Sequence, residues 1–195
     1  MDKKEFEKIK ELYDNGNNEI VPGHSFENHV LKVYENMKKI IPDEDVDREV
    51  LEYATLLHDV GRCYERNCGH AEKGAELAEE FLIDDLGRNK KFADRVSECI
   101  RHHSNRPHLE PPNREAEILW IADKMHAMGA TGLCRFLMTL GAKNYSCDEA
   151  VRFLKQRVLD AEERARDFGF DDMVEGLDPL KDFVKRYEEE NHAPD

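Results

Sequence analysis

No stretch of this 195-residue chain approaches the ~20 consecutive apolar residues that a membrane-spanning helix needs. The opening Met1-Asp2-Lys3-Lys4-Glu5 lacks the apolar core of a signal peptide. Neither a membrane partner nor secretion is therefore expected. Cysteine is scarce: Cys63, Cys68, Cys99, Cys134 and Cys147 are odd in number, form no CxxC pair and fall far short of a disulfide scaffold. They read as free thiols in a reducing cytoplasm. Positive charge is also short. Twenty-nine Lys and Arg face 43 Asp and Glu, a net charge of -14 that disfavours binding to a nucleic acid polymer, although a small anionic substrate could still bind at a metal. Sustained apolar/polar alternation is missing too, which removes half-buried strands and leaves an all-α chain.

What is present is apolar spacing of helical period. It predicts helices over about 2–14, 26–41, 47–60, 70–81 and 91–103, one beginning near Arg114, and others over about 131–139, 147–168 and 179–189. Ser25 is suited to cap the second, Pro42 to close it and Gly61 to end the third. At 195 residues the chain has the length of one domain with a substantial core.

Against this helical background stands Leu56-Leu57-His58-Asp59-Val60-Gly61, a His-Asp doublet where an apolar run ends. Two such side chains are costly to desolvate unless a cation or a hydrogen-bond network holds them. A carboxylate at a helix C-terminus is opposed by the helix dipole, an objection that a bound cation removes. His29 lies in the first turns of the second helix. His70 opens the fourth, His102-His103 closes the fifth and Asp123 follows the apolar Ile118-Leu119-Trp120-Ile121-Ala122. Each has an ordinary structural role open to it: a half-buried helical histidine, a dipole-favoured imidazolium, a paired carboxylate. Taken together they form a set of imidazoles and carboxylates suited to zinc, iron, manganese or cobalt.

In this order, His29, His58-Asp59 and Asp123, the chain resembles the HD superfamily of metal-dependent phosphohydrolases. His29-Val30-Leu31-Lys32-Val33 is similar to the HxxRV segment of that family, with Lys32 in place of arginine, and Ile100-Arg101-His102-His103-Ser104 to its IxxHS segment. The run from Ala122-Asp123-Lys124-Met125 to Cys134-Arg135 resembles the ADKLDALGAxGIxR segment of one bacterial and archaeal branch. Two positions depart from the pattern. Arg62 stands where many members have lysine, and His126 where the branch has aspartate.

The resemblance implies a single compact multi-helix bundle, with its core at about 20–140 and additional C-terminal helices at about 147–190. It implies a divalent ion (Mn, Fe, Co, Mg or Zn) on His29, His58, Asp59 and Asp123. His70-Ala71-Glu72-Lys73-Gly74-Ala75 is similar to the Hx3GA segment of two-metal members, which implies a second ion with His70 and His103 as ligands, so one or two per chain. The implied reaction is hydrolysis of a nucleotide or another small phosphate ester by metal-activated water. Asp59 could take the proton, and Arg62, Lys73 or Arg106 could neutralise the phosphoryl oxygens. Two alternatives stay open: a di-iron oxygenase on the same ligands, and a catalytically idle metal- or nucleotide-binding regulatory module. The amphipathic C-terminal helices could serve a homodimer or only cover the core.

Overall fold

The structure, a computed structural model, describes residues 1–16, 25–41, 45–64, 69–104 and 110–191. Pro42, Cys68 and Arg106 lie outside them. Among the described residues every regular element is helical, and no helix is long and apolar enough to cross a membrane. The chain packs as two compact units, 1–123 and 124–195.

The first unit begins with α1 (Lys3–Asn15), opened by a capping box in which Asp2 and Glu5 satisfy each other's backbone N–H groups. Ser25 then caps a π-helical turn, Phe26–Val30, that runs on into α2 (Leu31–Ile40). The expected uninterrupted α-helix from 26 is therefore a π turn followed by an α-helix, and His29 sits in the wider turn. Next come α3 (Arg48–Leu57), capped by Asp47, and a 3-10 turn, Val60–Cys63. α4 (His70–Glu80) continues into a second π turn, Phe81–Asp85, and Asn89 caps α5 (Lys90–His102). α6 (Arg114–Ala127) contributes its residues up to Asp123 to this unit. The core is Ile9, Val30, Val33, Leu51, Leu56, Leu57, Val60, Ala75, Val96, Ile100, Ile118 and Ile121, all fully buried.

Two polar clusters tie the helix ends together. Arg95 bonds Asp47 at 2.6 Å and Glu115 at 3.2 Å, and Glu115 also accepts from the Asp47 backbone N–H at 3.0 Å. The starts of α3 and α6 are thereby fixed to the side of α5. Arg88 reaches Glu5, Glu49 and the Tyr53 hydroxyl at 3.0, 3.0 and 2.6 Å, linking α1 to α3.

Glycine matters most where the doublet meets α4. A Cβ on Gly61 would collide with the His70 carbonyl oxygen and stand 2.5 Å from the Gly74 backbone nitrogen. Only a residue without a side chain lets the 3-10 turn lie this close on α4. The contact sets His58-Asp59 beside His70.

In the second unit, α8 (Cys147–Asp167), opened by the Ser146/Glu149 capping box, is the central helix. It packs with α7 (Ala130–Ala142), α9 (Asp171–Glu175) and α10 (Asp178–Asn191). Ala150, Val151, Leu154, Val158, Ala161 and Ala165 supply its buried face, and Met173, Val174, Leu177, Leu180 and Val184 are buried from the short helices after it.

Candidate metal centre

The doublet lies where α3 stops. The last carbonyls of a helix have no i+4 amide to bind, and two of them are taken by side chains that shape the site. The Tyr13 hydroxyl donates to Leu56 O at 2.9 Å, and His58 Nδ1 stands 2.7 Å from Thr55 O. A carbonyl can only accept, so His58 Nδ1 carries the proton and, in the neutral ring, Nε2 keeps its lone pair. The end of α5 repeats the device. His103 Nδ1 donates to Ile100 O at 2.6 Å, leaving His103 Nε2 as the open nitrogen. His102 Nδ1 meets Glu98 O at 2.9 Å.

The rings of His29, His58, His70 and His103, but not that of His102, converge on Asp59, which is 2 % exposed. His29 Nε2 lies 3.2 Å from Asp59 Oδ2, 3.3 Å from Asp123 Oδ1 and 3.2 Å from His58 Nε2, and His58 Nε2 is 3.7 Å from Asp59 Oδ2. Around an ion with ligands at 2.0–2.2 Å, neighbouring donor atoms stand about 2.8–3.1 Å apart if it is octahedral and about 3.3–3.6 Å apart if it is tetrahedral. The observed separations fall close to those ranges. The other carboxylate oxygen faces a second set: Asp59 Oδ1 is 3.4 Å from His103 Nε2 and 3.7 Å from His70 Nε2. Both of these imidazole nitrogens are buried without a hydrogen bond, as suits donors aimed at a cation rather than at protein. Two groups able to hold a metal result, His29/His58/Asp59 and Asp59/His70/His103, with Asp59 common to both.

Burial pushes the His58 and His70 imidazoles down to about 3, so both rings are neutral at physiological pH. His29 behaves differently. Burial lowers its pKa, but its bonds to Asp123 and Asp59 outweigh that and hold it above the ordinary value. Without a metal, a proton on His29 Nε2 answers the two carboxylates; a cation would take that proton's place.

The six residues singled out as ligands, His29, His58, Asp59, His70, His103 and Asp123, are thus brought together from the π turn and the ends of α3, α4, α5 and α6. Arg62 joins them through its Nε, 2.7 Å from Asp59 Oδ1. Lys73 instead bonds Glu76 at 3.1 Å on the exposed side of α4. Arg106 lies outside the described residues. Cys63 and Cys99 are buried with their thiols pushed up to about 11 and about 12 by desolvation, and Cys134 and Cys147 are exposed free thiols.

Sequence reasoning overlooks the supporting groups. Asn36, two turns after His29 on the same helix face, donates to Ala122 O at 3.2 Å and so pins the residue before Asp123. A seven-residue offset from a candidate ligand histidine is the signal that marks it. The Thr55 and Ile100 carbonyls, each three residues before a histidine of the cluster, leave no trace in side-chain identity.

Residues 26–128 match the HD domain family. The chain belongs to the HD-domain family. It is similar over 96 % of its length to the crystal structure, at 1.45 Å resolution, of a predicted HD superfamily hydrolase from an uncultured Thermotogales bacterium. That match has a TM-score of 0.57 and 28 % identity, and it covers 92 % of the other chain. The cyanamide hydratases DDI2 and DDI3 of Saccharomyces cerevisiae are each 32 % identical over 87 residues, 40 % of this HD-domain chain. The match spans 38 % of the length of these two relatives.

Proposed function

We propose that this chain is a metal-dependent phosphohydrolase of the HD superfamily, acting on a nucleotide or another small phosphate ester. The observation that supports the reading is the Asp59 carboxylate, buried, with one oxygen toward His29 and His58 and the other toward His70 and His103. Asp123 completes the first set. A divalent ion held there supplies Lewis acidity toward a phosphoryl oxygen and lowers the pKa of water toward neutrality.

The protein's own part is to present neutral, pre-oriented donors and to balance charge. His58 and His103 are locked by main-chain carbonyls, so neither ring has to reorient when substrate arrives. Asp59 and Asp123 bring two negative charges to a dry site. The Arg62 guanidinium lies against one of them, its Nε 2.7 Å from Asp59 Oδ1. A phosphate ester would add negative charge, which the permanent positive charge of Arg62 would help to offset.

A second reading comes from the yeast relatives. The same acidified water could add across the C≡N bond of cyanamide, forming a C–O bond and giving urea with no group leaving. Both reactions need the same donors and differ in the electrophile.

The test is turnover of a panel of nucleotides, small phosphate esters and cyanamide with Mn, Co, Mg, Zn and Fe, read as phosphate, pyrophosphate or urea release. Metal-dependent phosphate or pyrophosphate release is expected. Asp59→Ala should lower it by at least about 1,000-fold and abolish tight metal binding while the helical circular-dichroism signal persists. Urea release alone would move the assignment to hydration, and full activity in Asp59→Ala would remove the site.

A further inference from the structure

We infer that Arg62 is a positioning residue: its Nε–H fixes the roll of the Asp59 carboxylate so that each oxygen faces its own set of imidazoles. The inference rests on the metal-dependent reading above and goes beyond it, since simple charge neutralisation of a phosphate needs only a cation nearby.

The observations are local and directional. Arg62 lies in the 3-10 turn that follows the doublet, and both its backbone and its side chain return to Asp59. Its backbone N–H donates to Asp59 O at 3.0 Å, and its Nε–H donates to Asp59 Oδ1 at 2.7 Å. The two bonds close a ring around Asp59 that leaves the carboxylate little rotational freedom. Asp59 Oδ1, the oxygen that Arg62 grips, faces His70 and His103; the oxygen it leaves alone, Oδ2, faces His29 and His58. A carboxylate free to turn part-way about its Cβ–Cγ bond would swing both oxygens off their sets; a full half-turn only exchanges two equivalent oxygens, so it is the intermediate angles that the Arg62 bond excludes.

The contact also depends on which nitrogen is used. Bonding through Nε leaves the two terminal amino groups of the fork, and the side chain is 34 % exposed beside an otherwise buried carboxylate. Lysine, with one nitrogen at the end of its stem, cannot hold the carboxylate and present further donors outward in one plane. The arginine in this chain therefore does something that a lysine at the same position would do less well.

The test uses the full chain with Arg62→Lys, Arg62→Ala and the unsubstituted protein, each loaded with Mn2+ alone. Mn2+ affinity and stoichiometry are measured by titration calorimetry, with circular dichroism and a thermal melt to verify folding. Partners that orient a metal ligand typically change affinity by about 10- to 100-fold. Arg62→Ala is expected to weaken the weaker-binding Mn2+ by about that factor and to lower kcat more than it raises KM. Added guanidinium ion should restore part of the loss, and Arg62→Lys should recover less than half of it on a logarithmic scale.

Unchanged Mn2+ binding in a folded Arg62→Ala variant, with only KM raised, would make Arg62 a plain anion contact and overturn the inference. Full recovery by Arg62→Lys would overturn the role assigned to Nε. An unsubstituted protein that binds no divalent ion would bring down the metal-dependent reading and this inference with it. Metal binding that is indifferent to Arg62 brings down only the inference.

Discussion

His58 and His70 carry opposite demands from His29, and the difference can be read in solution. In the unfolded chain all three titrate near the ordinary histidine value of 6.5. Folding lowers His58 and His70 to about 3 by burial, so between pH 3 and 6.5 the unfolded state binds more protons at these two rings. Their contribution to stability is complete above about pH 6.5 and is lost as pH falls toward 3. At about pH 5 each costs on the order of 2 kcal/mol. His29, raised by Asp123 and Asp59, contributes the other way: its stabilisation is present below 6.5 and is lost as pH rises through its folded value. Two lowered groups against one raised group give a net loss on acidification. Chelator-treated protein is expected to melt several degrees lower at pH 5 than at pH 7, by differential scanning calorimetry. A flat or rising profile over that interval would contradict the assignment of His58 and His70 as neutral rings. At this scale the clustered His and Asp side chains were legible because they are expensive in apolar surroundings. Their roles were less so: Lys73 and Arg62 read alike as cations, yet one pairs with Glu76 and the other with Asp59.

Among the elements, the contact between the 3-10 turn and α4 is the tightest constraint on the site. Gly61→Ala forces a methyl against the His70 carbonyl and the Gly74 nitrogen, both backbone atoms that cannot swing aside. A destabilisation of about 1–3 kcal/mol is expected from overpacking, and because His70 moves with its carbonyl, metal content should fall as well. Urea denaturation together with metal analysis checks both, and a variant of undiminished stability and metal content would show that the turn can drift. Helix positions follow from caps and periodicity, which is why the cap at Ser25 and the starts near Asp47 and Arg114 could be read in advance; Gly61, expected to end the third helix, lies instead inside the 3-10 turn that follows it. The π turn at Phe26–Val30 could not be read in advance, since an α-helix and a π turn use the same residues and the choice depends on what the turn must face. The stop of α3 at Leu57 rather than near Val60 has a comparable cause: His58 and Tyr13 take the Thr55 and Leu56 carbonyls that a longer helix would bond to its own amides. The short α9, five residues between longer helices, is below the length at which periodicity gives a signal.

For the whole molecule, a net charge of -14 acts on any anionic substrate as a long-range repulsion that salt screens. With the proposed phosphate-ester chemistry, kcat/KM should rise by about 2- to 5-fold between roughly 20 and 200 mM monovalent salt. A neutral substrate such as cyanamide should show no such rise. Steady-state kinetics over that range therefore separate the two readings independently of product analysis, and a fall in kcat/KM for the ester would mean that local positive charge outweighs the global field. The meeting of six imidazole and carboxylate side chains from five segments is more than spacing along a chain can encode, because spacing does not fix convergence in space; the resemblance alone implied it. The supporting contacts were not anticipated, and they carry a consequence for how this protein tolerates change. His58 and His103 are oriented by main-chain carbonyls, at Thr55 and Ile100, which every amino acid possesses. Exchanging either side chain leaves its carbonyl in the chain, so sequence can drift around the centre while the rings keep their aim. Insertions, deletions and prolines at the ends of α3 and α5 are the changes that would break it.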